Sequence, residues 1–92
     1  MKYYDWSDEK NTWLKAERDV SFEMVVLAIE SGDLLDRVKH PNSEKYPNQK
    51  VLYVKIENYA YAVPCIEDDK KIFFKTIIPS RKATKDYLRR KT

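Results

Sequence analysis

The apolar residues of this chain change their period once, and that change restricts the fold to helices packed on a sheet. Phe22, Val25, Val26 and Ile29 stand at i, i+3, i+4 and i+7, so one face of a helix gathers them. Ser21 is placed to cap that helix, Glu23 sits in the first turn where the dipole favours an anion, and Gly32 supplies the stop. Beyond Gly32 the period falls to two. Leu34 to Lys39 predicts a strand. Across Lys50 to Glu57, Leu52, Val54 and Ile56 face one way, while Val51, Tyr53, Lys55 and Glu57 face the other. Tyr59 to Ile66 is apolar on both faces, as in a central strand, and Pro64 inside it lacks an N–H, which predicts a bulge or local edge. Lys71 to Ile78 reads as a further strand. Asn58 and Glu67 to Lys70 are short connections, so the strands form an antiparallel meander.

The flanks complete the element order. Residues 2–6 read as a short strand or extended entry, and Ser7 or Asp8 can cap a helix from Asp8 to Arg18, which lacks Gly and Pro. His40 to Gln49 is a polar loop. Ser80 caps a final helix over roughly Arg81 to Arg90. The expected fold is α+β: two N-terminal helices packed on one face of an antiparallel meander of three to four strands, followed by a C-terminal helix, in one domain over residues 1–92. Trp6, Trp13, Leu14 and the Phe22–Ile29 stripe are expected in the core. A domain this small buries a modest fraction of its surface, and its two Trp, seven Tyr and three Phe offset that with large apolar areas.

Composition also excludes chemistries. His40 and Cys65 are the only residues of their kinds; together they do not supply the nitrogen and sulfur ligands of a transition-metal site, and no metal or other cofactor is expected. Cys65 lies in an apolar run and reads as a small buried hydrophobe. One glycine, Gly32, builds neither a nucleophile elbow nor a phosphate-binding loop. No stretch approaches the ~18 apolar residues of a membrane span, and the N-terminal residues lack the apolar core of a signal peptide, so cytoplasmic residence without membrane partners is expected. Charge is polarised: residues 1–36 hold nine acids and four Lys or Arg, and residues 37–92 hold six acids and fourteen Lys or Arg. A basic C-terminal half suits a polyanion, although a solvated basic surface has the same composition. Lys75, Arg81, Lys82, Lys85, Arg89, Arg90 and Lys91, with Tyr87 among them, bring cations, an aromatic ring and a helix start into one neighbourhood, where phosphate binds well. Arg81 can grip phosphate oxygens bidentately and Lys82 can add a point charge.

Three segments resemble the BrnT family of type II toxins, within the broader RelE-like group. Trp6-Ser7-Asp8-Glu9-Lys10-Asn11 is similar to that family's Trp-Asp-x-x-Lys opening. Val20-Ser21-Phe22-Glu23 matches its entry to the second helix, and Ile77-Ile78-Pro79-Ser80-Arg81-Lys82-Ala83-Thr84 resembles its Ile-Ser-Ala-Arg-x-Ala signature, with Tyr87 a little beyond. Pro79 departs from that signature, and residues 40–49 have no evident counterpart. The resemblance implies a RelE-like fold, metal-independent endoribonuclease activity that inhibits translation and growth, and neutralisation by a cognate antitoxin, often a DNA-binding protein of ribbon-helix-helix type.

A metal-independent ribonuclease must take a proton from the 2′-hydroxyl, hold the phosphate in line and stabilise developing negative charge. Arg81 and Lys82 are the candidate clamp, and Lys75 joins them if its sheet face is the open one. Tyr87 is placed to stack on a base or donate a proton. His40, the one side chain that ordinarily titrates near neutrality, is a candidate acid or base. Lys85 and Arg89 are candidate RNA contacts, and Tyr46 is a candidate stacking platform. Two other classes stay open at this point: a binding module without catalysis, and an interaction subunit whose basic end meets an acidic partner.

Overall fold

The computed structural model describes residues 2–88. The chain is α+β. Strand β1 (Tyr3–Trp6) leads into helices α1 (Asp8–Arg18) and α2 (Phe22–Glu30). Strands β2 (Leu34–Lys39), β3 (Gln49–Ile56), β4 (Tyr59–Glu67), β5 (Lys71–Phe74) and β6 (Ile78–Pro79) follow, then a single helical turn, α3 (Arg81–Ala83), that continues as a π-helical turn over Thr84–Leu88. Both long helices begin as the sequence predicts. The Ser7 hydroxyl accepts from the Lys10 N–H, and the Ser21 hydroxyl accepts from the Met24 N–H. The turn between β3 and β4 has two consecutive positive φ angles, 52° at Glu57 and 66° at Asn58, so it closes as a tight hairpin without glycine.

The sheet is mixed, which corrects the expected meander of three to four antiparallel strands. Its order is β1-β5-β4-β3-β2, with β6 also paired to β4. β1 runs parallel to β5, with Tyr4 beside Ile72 and Trp6 beside Phe74. The two helices carry the chain away before it returns, so parallel pairing is sterically open to it, and the pairing brings the Tyr4 and Trp6 rings onto Phe74 at 5.3 and 6.2 Å. The expected strand Lys71–Ile78 is also broken in two. Lys75 donates its N–H to the Pro64 carbonyl, and the N–H that Pro64 lacks would point toward the same neighbour. Pairing of β5 with β4 stops at Phe74–Cys65 and resumes, as β6, at Ile78–Ala62. Lys75 is therefore an exposed residue in the gap, not a strand residue.

The core lies between the long helices and one sheet face. Leu14, Phe22 and Val25 meet Leu52, Val54, Val63, Cys65 and Phe74 there. Burial holds the Cys65 thiol up at about 11. Trp13 does not join this core, contrary to expectation. It is 43% exposed, with the Lys10 ammonium 4.3 Å and the Arg18 guanidinium 5.2 Å from its ring. Each cation gains from the ring quadrupole while its charge stays wet, so helix α1 hides Leu14 and leaves Trp13 out.

The last turn packs on the opposite sheet face. The Thr84 hydroxyl is buried, accepts from the Ala60 N–H and donates to the Ser80 carbonyl. The Ser80 N–H donates to the Ala60 carbonyl, and the Ser80 hydroxyl caps Ala83. These bonds pin the last turn to β4. The expected helix to Arg90 is thus a short α-turn followed by a π-turn, and its end lies outside the described residues.

Candidate functional site

A β-bulge prepares the open face. Leu34 pairs with Val54, but Asp36 pairs with Tyr53, so the register slips between Leu34 and Asp36. Unbroken alternation would put Asp36 on the face of Leu34, which packs against the core. The bulge instead turns Asp36 and Val38 to the open face, beside Tyr53 and Val51, and sends Arg37 and Lys39 to the other.

Against that prepared surface the pinned C-terminal turn forms a cleft of about 170 Å³, lined by Val38, Tyr53, Ser80, Lys82, Ala83, Asp86 and Tyr87. The Tyr53 and Tyr87 rings are tilted at a 6.1 Å centroid separation, and the Tyr87 hydroxyl donates to the Asp36 carboxylate. That bond, with a second from the Arg37 N–H, holds the Asp36 carboxyl below its usual range. The same bond holds the Tyr87 phenol above its usual value, so it stays protonated at neutral pH. Because Asp36 is depressed, its contribution to stability is present above the ordinary carboxylate range and is lost as pH falls through its folded-state value. Tyr87→Phe is expected to move the Asp36 titration upward, read by carboxyl-carbon NMR; an unchanged Asp36 titration would show that the phenol does not govern it.

The predicted site residues fall into two groups. Lys82 and Tyr87 line the cleft. Arg81 and Lys85 are exposed on the same turn, and Lys75 is exposed in the gap before β6, none of the three being among the lining residues. Arg89 lies outside the described residues. His40 and Tyr46 belong to the β2–β3 loop, with ring centroids 4.6 Å apart. There the His40 Nδ1 accepts the Asn42 N–H. Asp36, Tyr53 and Asp86 were not singled out from the sequence. Tyr53 had a signal, as an aromatic on the polar side of an alternating strand. Asp36 had none, because its face depends on the bulge.

The three segments that carry the BrnT resemblance also find structural places. The Asn11 side-chain carbonyl accepts the Phe22 N–H at 2.8 Å, its amide donates to Glu23 at 2.8 Å, and Trp6 stacks on Phe22 at 5.7 Å. The first two segments are therefore one clip at the start of α2. In the third, Ile77, Ala83 and Thr84 are buried anchors, while Arg81 and Lys82 are exposed. Comparison with protein-family models, with curated proteins and with solved structures finds no match. Among the described residues no helix is long and apolar enough to cross a membrane.

Proposed function

We propose that this chain is a RelE-like, BrnT-type toxin, an endoribonuclease that cleaves RNA without a metal and is neutralised by a cognate antitoxin of ribbon-helix-helix type. The observation that carries this reading is the open-face cleft. It joins an ammonium (Lys82), two tyrosine rings and a carboxylate held ionised (Asp36) on one surface that an extended strand can reach. Tyr53 and Tyr87 present ring faces on which a base stacks. Lys82 offsets the charge that develops on the phosphoryl oxygens, and Arg81 on the same turn steers the neighbouring phosphate. When the 2′-hydroxyl displaces the Tyr87 hydroxyl from Asp36, the bond that weakens Asp36 as a base is released, and Asp36 accepts the 2′-hydroxyl proton. The 2′-oxygen then bonds to phosphorus as the 5′-oxygen departs with a proton, for which the protonated Tyr87 is the donor. The products are a 2′,3′-cyclic phosphate and a 5′-hydroxyl.

A specific observation favours a second reading. Asp86 stands in the cleft wall beside Lys82, and Asp36 is close by, so carboxylates outnumber the ammonium there. Such a cleft suits a non-catalytic module that holds RNA or a protein through its rings. Controlled expression in a bacterium separates the readings. Growth arrest that is lost in a folded Arg81→Ala plus Lys82→Ala variant, with RNA cleaved to cyclic-phosphate ends in the presence of EDTA, is expected of the toxin. Binding without cleavage selects the module. Unimpaired growth with abundant folded wild-type protein sinks the toxin reading.

A further inference from the structure

The bulge that turns Asp36 to the open face sends Arg37 and Lys39 to the opposite one, and there they meet other cations. The register sets Arg37 beside Leu52 and Lys39 directly beside Lys50. Lys50 in turn pairs with Cys65 across β3 and β4. Two like charges directly opposed across a sheet repel. Only part of that repulsion is relieved locally, because Lys50 shares a single carboxylate, Glu67, with Lys2. Those two ammonium groups hold Glu67 below its usual carboxylate range, so the acid is already committed. Arg37 and Lys39 are exposed, and neither is in an ion pair among the described residues. The result is a row of cations, Arg37, Lys39 and Lys50, of which only Lys50 is in an ion pair among the described residues, at the sheet end from which the β2–β3 loop hangs.

Cations in a row along an extended strand match a single-stranded nucleic acid better than a compact anion. Arg37 and Lys39 are two residues apart on one face, a rise of about 7 Å, which lets consecutive phosphates of an extended strand each meet one cation. We propose that Arg37, Lys39 and Lys50 form a second RNA-contact surface on the face away from the cleft, one that holds the strand leading to or from it. The proposal rests on the RNA reading above and extends it. It explains why a repulsive Lys39–Lys50 pair is present: the pair is neutralised when phosphate arrives.

Fluorescence anisotropy of the full chain with a fluorescein-labelled dodecameric oligouridine tests this. Arg37→Gln plus Lys39→Gln removes two phosphate contacts, and each contact to a single strand contributes ~0.7 to the slope of log affinity against log salt. The slope is expected to shrink by about 1.4. Lys10→Gln plus Lys15→Gln, the same loss of charge on α1, is expected to change it much less. Equal changes in the two variants would overturn the proposal, since only net charge would then matter. If the wild-type chain binds an oligoglutamate peptide as well as RNA, and the Arg37/Lys39 variant loses both alike, the surface takes an acidic protein and the RNA assignment falls. Failure of cleavage with this salt behaviour intact counts against catalysis alone; absence of any RNA binding overturns both readings.

Discussion

Replacing Phe74 by alanine is expected to lower the unfolding free energy by ~3–5 kcal/mol, the range for emptying a buried aromatic site. Phe74 is fully buried, and its ring lies 5.3 Å from Tyr4, 6.2 Å from Trp6 and 5.9 Å from Phe22. Tyr4 and Trp6 are on β1 and Phe22 opens α2, so one side chain ties the edge strand, the sheet and the helical layer. A chain of 92 residues has a total stability of about 5–14 kcal/mol, so the variant should sit near the edge of unfolding. Phe73 is the control. It is next in sequence but faces the open side, half-buried beside the Lys71 ammonium at 5.8 Å, and its truncation should cost clearly less. Urea unfolding of both variants decides the matter; equal losses would mean that the stack does not join the layers.

What could be read in the sequence followed from local chemistry. The stripe from Phe22 to Ile29 and the alternation at Leu52, Val54 and Ile56 each specify one element without reference to the rest of the chain, and both appear where the pattern puts them. Most of the misreadings depend on a partner distant in sequence; that of Trp13 depends on its neighbours along α1. β1 is parallel because Phe74 receives Tyr4 and Trp6. The strand expected to run through Lys75 breaks because Pro64, across the sheet, has no N–H to give. Trp13 looks like a core residue until Lys10 and Arg18 are seen on its ring. For the site, Lys82 and Tyr87 were legible because they lie a few residues apart on one turn. Asp36 was not, because a register slip of one residue decides whether it shares the face of Tyr53. The same slip creates the second basic surface, so a single irregularity in β2 sets the charge of both faces.

The clip between the first two resembling segments gives a second large effect. Asn11→Ala is expected to destabilise the chain by ~2–3 kcal/mol, because the buried Phe22 N–H loses its acceptor and the Glu23 carboxylate loses a donor. Asn11→Asp separates these two losses. The new carboxylate still accepts from the Phe22 N–H, but it opposes Glu23 instead of donating to it. In the wild-type chain the Asn11 amide is the main cause that holds the Glu23 carboxyl below its usual range, so that contribution is present at neutral pH and fades as pH falls through the folded-state value. The variant has the opposite sign: acidification protonates one of the two carboxyls, which removes the repulsion and restores a donor. The stability gap between wild type and Asn11→Asp should therefore be wide at neutral pH and narrow steadily through the carboxylate range. Urea midpoints measured across that range test it. A gap independent of pH would mean that Asn11 acts only as a cap for the Phe22 N–H, and that its bond to Glu23 contributes nothing to holding α1 against α2.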